Sequence, residues 1–369
     1  MTDVYLSGYR EVRLARNLRE RHPTSAVFEI TPTCNLRCHF CYVALDPYRG
    51  PYLGLEQIER VFDKLAGAGV LFLTLTGGEI FSRRDFLDIY RAARARGFVV
   101  TLYTNATMAT PEICEVLAQD PPQEVEVTIY GADVEHYEGT TGIKGSFAKF
   151  ERGVALMQAA GLKVILKHTV STITDGHVPA LREWSEARGL PLKPGAVIEN
   201  RHSGGQQPSL YRIEPRKVVA LRDYLHEART GAKRDGPTSE CSMVPDGSTE
   251  QLYRCGAGRI AVFIDALGQA SHCVLDREPA FPILDMEWDD LWAQMGEWVT
   301  QPLPKDAPCS GCELRGGCDN CPARSRLATG SPFLKDTYQC DITHAEHGLP
   351  PAAVPVYQPT VRPVGVCAR

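Results

Sequence analysis

AVFEITPTCNLRCHFC (residues 26–41) puts two signals side by side. AVFEIT (26–31) is short, apolar and rich in strand formers, and Pro32 closes it, so it reads as a buried strand. The loop that follows carries Cys34, Cys38 and Cys41 at Cys-x3-Cys-x2-Cys spacing, with no fourth cysteine nearby. Thiolates so placed can reach one iron–sulfur cube and leave one iron open to a small molecule. A zinc knuckle completed by His39 or a distant residue is the other use the spacing permits.

The unit of strand and polar loop then recurs. LFLTLT (71–76), FVVTLYT (98–104), EVEVTIY (124–130) and LKVILKH (162–168) read as strands, with a weaker sixth in KPGAVIE (193–199). Between them lie helical stripes, Leu55, Ile58, Phe62 and Leu65 in one and Phe147, Phe150, Val154 and Met157 in another. Repeated strand–helix–strand units pair in parallel through right-handed crossovers. The expected fold is α/β, an open or partial (β/α) barrel, whose active site sits at the C-terminal strand ends. The cysteine loop, Gly77, Gly78 and Glu79 after strand two, and Thr104 and Asn105 after strand three all fall at that end.

Composition narrows the setting. A net charge of −5 over 369 residues recommends no nucleic-acid partner. The N-terminus lacks the apolar stretch of a signal peptide, and no run reaches the roughly 18 apolar residues of a membrane helix. A cytoplasmic chain without membrane contact is expected, where thirteen cysteines serve ligation better than disulfides. Three lie at 34–41, one at 114, and nine from 241 onward. Cys114 and Cys367 read as free thiols. The expected organisation is an N-terminal extension (1–23), the barrel (24–200), a linker and helix (201–239), a Cys-rich segment (240–345) and a Pro-rich tail (346–369).

The cysteine triad with Phe40 before its last member, on the loop after strand one, resembles the radical S-adenosylmethionine (SAM) superfamily. The resemblance implies that Cys34, Cys38 and Cys41 hold a [4Fe–4S] cluster whose open iron chelates SAM. It implies reductive cleavage of SAM to a 5′-deoxyadenosyl radical, which abstracts hydrogen from a substrate. Gly77, Gly78 and Glu79 match the family's GGE loop, which supports the SAM amino group. Thr104 and Asn105 stand where members place a polar contact to the SAM ribose or carboxylate. Tyr130, at the end of strand four, would shape the pocket, and Lys167 and His168 would touch SAM or substrate.

Cys255 and Cys273, then Cys309-x2-Cys312-x5-Cys318-x2-Cys321 and Cys340, resemble the SPASM extension, which carries auxiliary iron–sulfur clusters. The fold implied is a partial (β/α)6 TIM-like barrel with a C-terminal Cys-rich SPASM extension. Carried over, Cys309, Cys312, Cys318 and Cys340 hold one auxiliary cluster. Cys255, Cys273 and Cys321 hold the other; Cys241, upstream of the matched pattern, is a candidate fourth ligand, and an open or differently ligated iron is the alternative. The extension usually has three residues between its fifth and sixth cysteines, whereas this chain has two.

SPASM-bearing enzymes mostly modify ribosomally made peptides or proteins, by cross-linking, epimerisation or oxidation, and a minority act on small molecules. A peptide substrate is therefore expected, with a reductant such as flavodoxin or ferredoxin. A radical dehydrogenase or decarboxylase of a small molecule is the alternative, and a non-catalytic zinc-binding scaffold a third reading. Sulfatase-maturing members place an aspartate directly after the cysteine matching Cys273. Here Val274 stands there and Asp276 is out of register, which disfavours formylglycine formation. About 25 residues precede strand one, too few for a winged-helix leader-binding domain, so a separate leader-binding protein is a candidate partner.

Overall fold

The computed structural model describes residues 12–43, 50–234, 236 and 250–352. Six strands, β1 (Ser25–Thr31), β2 (Phe72–Gly77), β3 (Val99–Thr104), β4 (Glu124–Thr128), β5 (Val164–Thr169) and β6 (Leu192–Gly195), lie parallel and side by side in chain order. The register aligns Phe28 with Leu75, Leu75 with Leu102 and Leu102 with Val125. Because side chains alternate along a strand, this fully buried row turns to one face, toward the helices. The helix Leu55–Gly67 buries Ile58, Val61, Phe62 and Leu65 in that core, and the helix Ser146–Ala159 buries Phe147, Phe150, Val154 and Met157. Phe62 meets Phe28 and Phe98 edge-on at 5.9 and 5.7 Å between ring centroids.

The other face is the barrel lumen, and it is polar. Tyr103 lies in register with Glu126, and Thr128 with Lys167, which in turn aligns with Lys193. A six-stranded partial barrel does not close on itself: its β1 edge is covered instead from the C-terminal half of the chain. There, β7 (Ala261–Ile264) pairs in parallel with β1, and β8 (Gln269–Ser271) and β9 (Phe281–Pro282) follow antiparallel. The sheet thus runs β6-β5-β4-β3-β2-β1-β7-β8-β9, and the Cys-rich segment supplies its last three strands.

Ion pairs and caps fix that segment against the barrel. Arg277 Nη2 sits 3.1 Å from the Glu29 carboxylate on β1. Arg21 donates to the carbonyls of Trp292 (2.6 Å) and Gly258 (3.1 Å), and Trp292 Nε1 returns a bond to the Arg21 carbonyl at 2.7 Å. In the expected linker and helix, the helix runs from Pro215 to Thr230, with a 3-10 turn over Gln207–Tyr211 before it. Among the described residues no helix is long and apolar enough to cross a membrane. Cys241, Cys367 and the tail beyond residue 352 lie outside the described residues.

Candidate active site

Cys34, Cys38 and Cys41 lie in the wall of a cavity of about 400 Å³ at the C-terminal ends of the strands. The loop is folded on itself by a Cys41 N–H to Cys38 carbonyl bond (3.1 Å) and by the Leu36 N–H donating to Cys34 Sγ at 3.4 Å. All three thiols are free. Burial pushes Cys34 up to about 11 and Cys38 to about 12, and raises Cys41 as well. Thiols held so high are poor nucleophiles at neutral pH. They fit a metal centre, whose positive charge strips the protons and makes thiolate ligands. The donor set is therefore that of a three-cysteine iron–sulfur site, with no fourth cysteine among the described residues of the cavity wall.

The Gly-Gly-Glu loop is built against the cysteine loop. Gly78 N–H donates to the Thr31 carbonyl (2.9 Å) and Glu79 N–H to the Thr33 carbonyl (2.8 Å). A Cβ on Gly78 would stand 2.1 Å from the Thr33 oxygen, and one on Gly77, at φ +151°, 2.4 Å from the Thr31 oxygen. The glycines are thus required for contact with the backbone that presents Cys34, in addition to lining the cavity.

Glu79 itself does not line the cavity. Its carboxylate is fully buried and accepts from Phe81 N–H (3.0 Å), Thr104 Oγ1–H (2.6 Å) and Asn105 N–H (2.7 Å). Burial raises its pKa against the pull of these three bonds. These bonds give Glu79 a positioning role, locking the β2 loop to the β3 loop.

Thr104 and Asn105 do line the cavity. Asn105 Nδ2 donates to Asn35 Oδ1 (3.0 Å) and faces Cys34 Sγ at 3.8 Å, while its Oδ1 accepts from Thr107 N–H and Oγ1–H. Asn35 Nδ2 donates to Thr107 Oγ1 at 2.7 Å. This network fixes the amide that points at the Cys34 sulfur. Asn35 and Thr107 were not singled out from the sequence, since a polar loop residue carries no periodic signal.

Tyr130 lines the cavity, hydrogen-bonds the Cys38 thiol and packs 6.0 Å from Phe40. Lys167 also faces in, paired with Glu126 at 2.8 Å and set 4.3 Å over the Tyr103 ring. Lys193 pairs with the other Glu126 oxygen at 2.9 Å. Burial pushes Glu126 up, but the two lysines outweigh it and hold the carboxyl below its ordinary range. Glu126 was missed in the sequence, although its alternation with Thr128 and Tyr130 in EVEVTIY marks a polar lumen face. Glu199 and Leu275 complete the far wall.

His168 does not reach this site. One residue past Lys167 on β5, it turns to the opposite face, is buried, and bonds the Ile129 carbonyl through Nδ1 at 2.8 Å. Burial lowers its pKa to about 4. A histidine held neutral in the fold, but free to protonate once unfolded, removes stability as pH falls below about 6.5. From this group alone the protein is expected to be about 2 kcal/mol less stable at pH 5 than at pH 7.5. Denaturant midpoints across that range should lose that component in His168→Gln, and an unchanged pH slope would contradict it.

The C-terminal cysteines fall into groups. Cys340 feels the like charge of Cys318 and Cys309, and Cys309 that of Cys318 and Cys312. Cys273 feels Cys255. Cys321 opens the helix Pro322–Thr329. Burial raises Cys255, Cys309, Cys273 and Cys340, Cys273 to about 11 and Cys340 to about 12. Two buried guanidiniums, Arg254 and Arg315, lie near enough to repel each other beside the Cys309 group, and Arg254 Nη2 donates to the Cys318 carbonyl at 2.9 Å. Cations buried beside several cysteines suit an anionic thiolate centre. Among the described residues no three His, Cys, Asp or Glu side chains converge as a single-ion site would require.

A family model described as the radical SAM superfamily matches residues 28–184. That span takes in the cysteine loop, the Gly-Gly-Glu loop and the Asn105 loop described above. Residues 28–184 form a radical SAM domain. With this domain the protein is a SAM-dependent enzyme, and the family implies a [4Fe–4S] cluster.

Similarity to known proteins extends well beyond the matched span. The chain is 25% identical over 336 residues to the AdoMet-dependent heme synthase of Methanosarcina barkeri, covering 86% of this chain and 96% of that protein. It is 28% identical over 342 residues to the mycofactocin maturase MftC of Mycobacterium ulcerans, covering 86% and 88%. The sporulation killing factor maturation protein SkfB of Bacillus subtilis is 25% identical over 338 residues, covering 90% and 77%. Streptococcus suis SuiB bound to S-adenosylmethionine superposes with a TM-score of 0.68 at 17% identity, over 86% of this chain and 77% of that one. The last likeness is one of fold.

Proposed function

We propose that this radical SAM enzyme cleaves SAM to a 5′-deoxyadenosyl radical and uses it to abstract hydrogen from a ribosomally made peptide. Cross-linking, epimerisation or oxidation of that peptide would follow. The observation that carries the reading is the shared cavity. It is lined by the cysteine triad with Gly77, Gly78 and Asn105, by Glu199 just past β6, and by Leu275 from the Cys-rich segment. Similarity to MftC and SkfB, both maturation proteins by name, favours a peptide.

When bound, the cluster at Cys34, Cys38 and Cys41 supplies the electron that splits SAM. The chain's own residues hold and orient. Asn105 and Asn35 fix the Cys34 sulfur, Tyr130 braces Cys38, and the Lys167–Glu126–Lys193 set gives the lumen fixed, compensated charge. On this reading the barrel over 24–200 binds SAM, and 201–239 links it to a SPASM unit over 240–345. Cys309, Cys312, Cys318 and Cys340 would hold one auxiliary cluster, and Cys255, Cys273 and Cys321 with Cys241 the other. A flavodoxin or ferredoxin would reduce the enzyme, and a separate protein would present the peptide leader. Asp276 is fully buried between Tyr253 and Arg326, so it offers no base to the cavity, in keeping with a reaction other than formylglycine formation.

Similarity to the heme synthase of Methanosarcina barkeri supports a second reading, a radical SAM oxidation of a small molecule such as a tetrapyrrole. Anaerobic assays that offer SAM with either a short peptide encoded beside the gene or an iron tetrapyrrole separate the two. A mass change in the peptide supports the first reading, and a decarboxylated or dehydrogenated tetrapyrrole overturns it.

A further inference from the structure

The arc from Cys38 to Cys41 carries two of the three cavity thiols and has no strand or helix of its own. Its main chain is tied by His39 N–H to the Thr140 carbonyl (3.1 Å) and by Cys41 N–H to the Cys38 carbonyl (3.1 Å). Its side chains are ordered by aromatic packing. Tyr130 meets buried Phe40 from the cavity at 6.0 Å. Tyr211 meets the arc from the segment that follows the barrel. Its ring stacks on His39 at 5.5 Å, with 14° between the planes, and lies 6.3 Å from Phe40. Near-parallel rings at this spacing attract beyond the area they bury.

Tyr211 is itself well anchored. The 3-10 turn Gln207–Tyr211, with buried Pro208 in its first turn, presents it. Its carbonyl accepts from Thr172 N–H, just past β5, at 2.9 Å. The next residue, Arg212, donates to the Ile198 carbonyl (2.7 Å), pairs with Glu199 (3.4 Å) and Asp336 (3.8 Å), and lies 4.6 Å over the Tyr338 ring. Earlier in the same segment, His202 N–H donates to the Tyr42 carbonyl at 3.1 Å, and the two rings meet edge-on at 5.3 Å. The segment 202–211 therefore touches the cysteine loop on both sides of Phe40, at His39 and again at Tyr42, while Arg212 ties it to the Cys-rich segment. A loop without a ladder of its own owes its order to contacts of this kind.

We infer that residues 202–211 form a clasp on the cysteine loop and that Tyr211 is its positioning residue, holding the Cys38–Cys41 arc in the shape that retains a cluster. The inference rests on the cluster proposed for Cys34, Cys38 and Cys41, and adds what keeps it in place. Without the stack the arc still forms, because its main-chain bonds and the Tyr130 contact remain, but it opens more often. Each opening releases two ligands at once. Loss of one aromatic stack shifts such an opening equilibrium about five-fold.

The test follows loss of iron to a ferrous chelator from the anaerobically reconstituted full-length protein, with EPR of the dithionite-reduced protein before and after SAM is added. The EPR component that changes on SAM addition reports the cysteine triad. Tyr211→Ala should lose that component about five-fold faster than wild type, while the other signals decay at the wild-type rate. Tyr211→Phe keeps the ring and should restore the wild-type rate. Leu210→Ala, at a neighbouring side chain that is 76% exposed, should leave it unchanged. Equal rates in Tyr211→Ala and wild type overturn the inference. So does a Tyr211→Ala protein whose signals all decay faster together, which marks a general loss of stability. A wild type with no SAM-responsive component would overturn the cluster placement, and the clasp with it.

Discussion

Gly78→Ala is expected to empty the SAM cluster site while leaving the outer barrel folded. The added methyl would stand 2.1 Å from the Thr33 oxygen and 2.8 Å from the Cys34 nitrogen, both backbone atoms that cannot rotate aside. The two loops must separate, breaking the Gly78 and Glu79 N–H bonds to Thr31 and Thr33. Overpacking of this kind costs on the order of 3 kcal/mol. More tellingly, the variant should reconstitute with about four fewer irons than wild type. Gly67→Ala, where a Cβ meets nothing within 4 Å, is the matched control and should change stability by less than about 0.5 kcal/mol. Normal iron content in Gly78→Ala would show that the glycine serves something other than the approach of these loops.

Glu79→Ala should be at least as damaging, and it separates two roles. Removing the carboxylate leaves Phe81 N–H, Thr104 Oγ1–H and Asn105 N–H buried without their acceptor. Each orphaned donor costs about 1–3 kcal/mol. The Asn105 loop then drifts, and with it the amide that faces Cys34. Glu79→Gln is the informative partner. A positioning role predicts a lower melting temperature and lower iron content, with SAM affinity falling only in proportion to the iron lost. A carboxylate that instead grips the SAM ammonium would give a stable, fully loaded protein with weakened SAM binding.

Much of this architecture was legible in the sequence. The five apolar runs fell within two residues of strands β1 to β5, because a parallel strand buried on its helix face shows as a compact β-branched run. The cysteine loop was legible because three thiols at this fixed spacing have few uses other than ligation. What stayed hidden depends on side-chain direction. Lys167 and His168 are neighbours in sequence, yet alternation sends one into the cavity and the other into the opposite face. Glu79 matches a ligand-binding motif, while its buried hydrogen bonds are visible only once β3 is laid beside β2. The three strands that the Cys-rich segment adds next to β1 are two to four residues long, too short to carry a period. Leu275 comes to the cavity from the Cys-rich segment, far from the barrel motifs, and no local pattern announces it.

The most direct test of the whole account is 5′-deoxyadenosine formation by the anaerobically reconstituted, dithionite-reduced protein with SAM and its candidate peptide, beside the Cys34→Ala/Cys38→Ala/Cys41→Ala variant. Product from the wild type and none above background from the variant is the result predicted by a cluster held at Cys34, Cys38 and Cys41. Equal product from both, or none from an iron-loaded wild type given substrate, would contradict it.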